Sequence, residues 1–240
     1  MLHPAFTPMK ILIYFLVITL IGTGVYFLTK KQPESNAMKP EVIKNKSNET
    51  IKEEKFTIIA FGDSLTAGYG VSLEESYPAL LERELVRGNK NIEVINMGVS
   101  GETTTGSLDR VDFILSQKPS LVLLALGAND MLRASSPKIA KENLRTILQR
   151  LQQEGVSVVL LGMRSTASNG RDYVEAFDDI YPSLAKEYSV PLVPFFLEGV
   201  ALNPGLNNSD GVHPNTSGYE KIVRENILPV LLPILKDKGL

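Results

Sequence analysis

Phe56-Thr57-Ile58-Ile59-Ala60-Phe61-Gly62-Asp63-Ser64-Leu65 is an apolar, β-branched run that stops at a glycine and passes into a polar turn. A run with so little polar interruption reads as a strand buried on both faces, not as the alternation of a half-exposed one. Four further runs of this kind follow, at Ile92–Asn96, Leu121–Leu126, Val156–Met163 and Pro191–Phe195. Helical spacing fills the intervals. Leu144, Ile147, Leu148 and Leu151 fall at i, i+3, i+4 and i+7, with Ser136-Pro137 as cap and first turn and Gly155 as the stop. Leu80, Leu81 and Leu85 mark an earlier helix, and Leu108, Val111, Phe113, Ile114 and Leu115 a second. Ile180, Leu184 and Tyr188 mark a later one, and a helix from Asn215 to about Lys236 closes the chain. Strands alternating with helices predict an α/β fold, a three-layer α/β/α sandwich around a central parallel five-stranded sheet. Ligands of such sheets bind beyond the carboxyl ends of the strands.

Four short segments carry residues suited to chemistry, three of them directly after strands. They are Gly62–Gly70, Asn96–Thr103, Gly127-Ala128-Asn129-Asp130 and Asp210-Gly211-Val212-His213. His213 is one of two histidines, and the other, His3, lies in the N-terminal tail. A serine hydroxyl is a poor nucleophile until a neutral imidazole takes its proton and a carboxylate holds that imidazole in place. Ser64, His213 and Asp210 supply that set. Taken singly each segment is weak: Gly-Asp-Ser also reads as a turn with a helix cap, and Gly98 or Gly101 as a turn needing positive φ. Their convergence in this order favours nucleophilic acyl transfer. Ser100 is a decoy, because Glu102 leaves the G-x-S-x-G elbow incomplete.

The set resembles the SGNH hydrolases, also called the GDSL esterase/lipase family, whose Ser, Gly, Asn and His fall on Ser64, Gly101, Asn129 and His213. Tyr77-Pro78-Ala79-Leu80-Leu81, Asn169-Gly170-Arg171, Ile180-Tyr181-Pro182 and Val190-Pro191-Leu192 are similar to the bacterial multifunctional thioesterase/lysophospholipase/arylesterase branch. The similarity runs from about Phe56 to Tyr219. It implies a flavodoxin-like sheet order and a Ser64–His213–Asp210 triad. It also implies an oxyanion hole from the N–H groups of Ser64 and Gly101 and the Asn129 side-chain amide, where spacing alone leaves Gly98 and Gly101 equal. The substrate it implies is a small acyl ester or lipid, with no metal and no cofactor. A polysaccharide O-acetyl esterase is the alternative within the family. Asp63 reads as a support that hydrogen-bonds the local backbone, and Asp130 as a support of Asn129. Arg133 and Arg164 read as solvated surface residues, and the Met131–Ser136 segment as a border of the acyl pocket.

Composition narrows the field. The 240 residues carry a net charge of −2 and no basic block, so nothing points to nucleic acid, and no feature specifies an oligomer. There is no cysteine, which removes disulfides and thiolate zinc sites. A two-metal phosphoesterase built on Asp63, Asn129, Asp130, Asp210 and His213 would need several histidines, and this domain has one.

The N-terminal part divides into a tail at 1–10, an apolar run at 11–28 and a polar linker at 29–55, before the hydrolase domain at 56–240. The run is long enough to span a bilayer and longer than a usual signal-peptide core, so it reads as a membrane anchor, with a cleaved signal and secreted product as the alternative. Met9-Lys10 before the run also resembles an export signal preceded by an extension. The linker, rich in Lys, Glu, Asn and Ser, cannot bury a core and reads as a flexible tether. Lys30, Lys31, Lys39, Lys44 and Lys46 follow the run, which by the positive-inside rule would put the domain in the cytoplasm. The family resemblance implies the opposite, an extracytoplasmic domain held at the membrane.

Overall fold

In a computed structural model, the chain is described over residues 55–88 and 91–240. The proposed tail, anchor and nearly all of the linker lie outside the described residues. Among the described residues no helix is long and apolar enough to cross a membrane.

Five strands form one sheet: β1 (Phe56–Gly62), β2 (Ile92–Gly98), β3 (Leu121–Ala125), β4 (Ser157–Leu161) and β5 (Leu192–Val193). Their spatial order is β2-β1-β3-β4-β5, and every pairing is parallel. Ile58, Ile59, Ala60 and Phe61 are all fully buried, as are Leu121 to Leu126. Consecutive strand residues point to opposite faces, so both faces are covered at β1 and β3, as their continuous apolar runs predicted, whereas in the edge strand β2 only Ile92 and Val94 are buried.

The helices are α1 (Ser64–Ala67), α2 (Tyr77–Gly88), α3 (Thr104–Leu108), α4 (Val111–Ser116), α5 (Ala128–Leu132), α6 (Pro137–Gln153), α7 (Arg171–Asp178), α8 (Ile180–Tyr188), α9 (Thr216–Lys221) and α10 (Leu228–Asp237). The face of α6 read from spacing is its buried one: Leu144, Ile147, Leu148 and Leu151 are each fully buried.

Three expectations need correction, and one helix is additional to them. The second helix is two, α3 and α4, and Phe113 lies 54% exposed on the outer side of α4. Ser136 precedes α6 without a side-chain capping hydrogen bond. Helix α7 was not anticipated, because Phe177 is its only buried residue and one apolar position makes no period. The closing helix is interrupted between α9 and α10 by a π turn, Ile222–Ile227, where the Leu228 N–H reaches Val223 O, five residues back. Pro229 has no N–H to continue the i→i−4 ladder, which accounts for the slip.

The sheet order sets the position of the site. The chain steps from β1 outward to β2, then returns past β1 to β3, so the connections diverge beyond the carboxyl ends of β1 and β3. Such a switch point leaves a crevice, and the turns after β1, β2 and β3 all border it.

Candidate active site

Strand β1 delivers Ser64. Asp63 caps α1, its Oδ1 accepting the Leu65 N–H at 3.0 Å, and Gly68 closes the turn in the left-handed region at φ 82°. Two glycines let backbone pass close beneath it. A Cβ on Gly62 would lie 2.0 Å from Thr66 Oγ1 and 2.6 Å from Ala125 O, and one on Gly98 only 2.1 Å from Ala67 N. Gly98 is therefore a close-approach glycine at the end of β2. Gly101 is the one with positive φ, at 80°, and it is exposed to the crevice.

The histidine comes from a loop that holds itself together. Asn207 and Pro214 form an antiparallel bridge, and the Asn208 N–H donates to His213 O at 2.8 Å. The Asn207 amide donates to Val200 O and Asn203 O. Asp210 Oδ1 accepts the N–H groups of Val212 and His213 at 2.9 and 3.0 Å, while its Oδ2 lies 2.7 Å from His213 Nδ1. His213 Nε2 is 2.9 Å from Ser64 Oγ. The Tyr69 ring covers the imidazole with a centroid separation of 4.7 Å. The backbone N–H of His213, then that of Val212, then the imidazole itself hold the Asp210 carboxyl down at about 2. Asp210 is thus ionised at neutral pH and suited to accept a hydrogen bond from Nδ1–H of the ring.

Asn129 lies in the first turn of α5, and its Nδ2 donates to Asp63 Oδ2 at 3.4 Å. An amide nitrogen carries two hydrogens, so one remains for the crevice. Asp130, expected to support Asn129, instead accepts the N–H and hydroxyl of Thr104 at 2.8 and 2.7 Å. It ties α3 to α5, and Asp63 is the carboxylate that orients Asn129. Ser100 lies at the crevice mouth, but the imidazole nitrogen is taken by Ser64.

Sequence reading missed the brace around Gly101. Arg110 donates to Met97 O and to the carboxylate of Glu102, beneath the loop that carries Gly101. Arg133 is exposed, as expected, and also donates from Nη2 to Gly101 O at 2.9 Å. Arg164 is exposed and lies over the Phe195 ring at 5.4 Å. The signal for Arg110 was a Glu next to the glycine and an Arg eight residues on, too common a pattern to single out.

Asp63 is fully buried, and burial pushes its carboxyl up to about 7, against hydrogen bonds from Leu65 and Asn129 that lower it. Between about pH 4 and pH 7 the folded protein then keeps a proton that the unfolded chain has lost, so stability falls as pH rises through that window. Asp63→Asn removes this contribution. The denaturant midpoint of wild type, relative to Asp63→Asn, is expected to drop between about pH 4.5 and about pH 8; a constant difference across that range would rule the protonated form out.

The crevice opens into a cleft of about 680 Å³ whose walls include Leu65, Ala128, Met131, Met163, Phe195 and Leu197. Met131 thus borders the cleft. No carboxylate of the described residues lines it. Among the described residues no group of three or more His, Asp or Glu side chains is placed to hold a metal ion.

Comparison with known proteins adds to this geometry. Residues 60–221 match the model of the GDSL-like Lipase/Acylhydrolase family. The chain is 37% identical over 180 residues to the esterase TesA of Pseudomonas aeruginosa, covering 75% of this chain and 89% of that one. It is 42% identical over 160 residues to thioesterase 1/protease 1/lysophospholipase L1 of Escherichia coli, covering 66% and 76%. A crystal structure of TesA superposes with a TM-score of 0.71 at 36% identity, over 74% of this chain and 99% of that one.

Proposed function

The chain belongs to the GDSL-like lipase/acylhydrolase family, a family of ester hydrolases, and from that premise we propose that it cleaves carboxylic esters and thioesters of apolar acyl chains through a Ser64–His213–Asp210 triad. The observation that carries this reading is the unbroken hydrogen-bonded line from Ser64 Oγ to His213 to Asp210, ending at an apolar cleft.

In the proposed reaction His213 Nε2 accepts the Ser64 hydroxyl proton as Oγ attacks the acyl carbonyl carbon, and Asp210 holds the Nδ1–H and stabilises the imidazolium. The carbonyl oxygen becomes an oxyanion, met by the N–H groups of Ser64 and Gly101 and the free hydrogen of the Asn129 amide. His213 then returns its proton to the leaving alcohol or thiol as the carbonyl re-forms, leaving an acyl-serine. Water, deprotonated by the same imidazole, then attacks the acyl carbon, and the acid leaves as the acyl–Oγ bond breaks and His213 returns the proton to Ser64 Oγ.

A cleft of about 680 Å³ with largely apolar walls fits an acyl chain well beyond acetyl. The test combines a fluorophosphonate probe with a series of p-nitrophenyl esters. Labelling is expected at Ser64 and to vanish in Ser64→Ala, with kcat/KM rising from acetate to medium chains. Absence of label at Ser64 would reject the nucleophile, and turnover of acetate alone would point to a polysaccharide O-acetyl ester instead. The apolar run at residues 11–28 supports a further element of the reading, that the enzyme is tethered to a membrane.

A further inference from the structure

Four exposed apolar side chains from four separate segments stand around one opening. Leu202 is 89% exposed, Leu132 56%, Tyr69 55% and Val212 43%, and each also borders the cleft, which places them on its rim. Exposed leucines scattered singly need no explanation, but apolar groups converging on a concave site form a patch that a partner can cover. Leu202 carries a second peculiarity. Its φ is +62°, a region L-residues with branched side chains seldom enter. The flanking chain holds it there: the Asn203 N–H donates to Val200 O, and Asn203 O accepts the N–H of Leu206 and the Asn207 amide. Strain retained beside a catalytic loop to keep a leucine in solvent needs a function.

Charge at the mouth narrows the partner. Among the described residues Arg164 is the Lys, Arg, Asp or Glu side chain on the cleft border, and Arg133 lies beside Gly101 at the same opening. Both are exposed, and among the described residues no Asp or Glu lines the cleft. Apolar tips flanked by guanidinium groups match the chemistry of a phospholipid surface, with acyl chains below and phosphates at the level of the arginines.

The chain outside the described residues bears on the geometry. It joins the domain at Lys55, just before β1, at the amino-terminal end of the parallel strands and so opposite the mouth. A short tether would hold the mouth away from the membrane. Residues 29–54 extend to at most about 90 Å at ~3.3–3.6 Å per residue, enough to pass around a domain of this size.

We propose that the Leu202–Leu132–Val212–Tyr69 rim is a docking surface for an anionic phospholipid bilayer, seating the cleft mouth on the membrane so that acyl substrates enter directly from it. The proposal rests on the tethered ester-hydrolase reading above.

The chain has no tryptophan, so Leu202→Trp creates a single probe, and Leu232→Trp, 50% exposed beside Ile92 at the far edge of the sheet, is its control. The full-length variants are mixed with vesicles of phosphatidylcholine and phosphatidylglycerol carrying brominated acyl chains. Co-flotation reads the attachment. Quenching and a blue shift are expected for Trp at 202 and not at 232. Flotation with an unquenched, unshifted Trp at 202 would overturn the docking surface and leave the tether standing; failure to float would overturn both. A second variant, Leu202→Asp, is expected to lower kcat/KM on bilayer-borne lysophospholipid roughly tenfold or more beyond any loss on water-soluble p-nitrophenyl butyrate. Equal effects on both substrates would count against docking. Loss of the soluble activity from wild type would instead strike the ester-hydrolase reading.

Discussion

Under the proposed triad, Ser64→Ala and His213→Ala are each expected to lower turnover of p-nitrophenyl butyrate by about 10⁶, because triad members act as a unit and losing one removes nearly all their joint effect. The geometry argues for a collapse of this size. Ser64 Oγ has one ring nitrogen at 2.9 Å, and His213 is the sole histidine of the domain. Asp210→Ala should cost less, on the order of 10⁴. That variant also frees two backbone N–H groups, those of Val212 and His213, so its loss mixes misplacement of the ring with loss of the ion. Ser64→Ala removes one hydroxyl and leaves the loop intact, and its thermal midpoint should stay near wild type. Retention of more than about a hundredth of wild-type turnover by either Ser64→Ala or His213→Ala would falsify the triad.

Asn129→Ala is expected to lower kcat by about 10²–10³ with KM nearly unchanged, since an oxyanion donor acts on charge that develops only in the transition state. The Asn129 amide donates to Asp63 Oδ2 over a long 3.4 Å, and the carboxyl group that orients it is itself buried. Asp63→Asn tests that relation from the other side. Its amide can still accept the Leu65 N–H, but it turns an NH₂ toward the Asn129 NH₂. A loss in kcat smaller than that of Asn129→Ala, again with KM little moved, is the expected result. A pure KM effect in Asn129→Ala would mean the amide binds ground-state substrate and not the oxyanion.

The parts of the fold that could be read in advance are those where one local pattern answers one environment. The runs in β1 and β3 are continuous because both faces are buried, and α6 repeats at 3.6 residues because one face is. Where a helix buries little, as α7 does with Phe177 alone, no period exists to be read. The split of α3 from α4 was hidden by an apolar Phe113 that faces solvent. In the site, residue types and chain order were legible in four loops. The partner of Asn129 was not: Asp63 lies 66 positions away, while the adjacent Asp130 turns to Thr104. The bracing of Gly101 by Arg110 and Arg133 was equally hidden.

By itself the chain's order of residues determined the alternation of buried strands and amphipathic helices, the family, and the candidate groups with their sequence neighbours. These follow from periodicity and side-chain chemistry, which act over a few residues. Only the tertiary structure decided that Ser64 and His213 meet, that Gly98 packs on backbone while Gly101 borders the crevice, and that Leu202 stands in solvent at its mouth. Those outcomes depend on which strand ends are brought together at the switch point of the sheet, a long-range choice that no local pattern encodes.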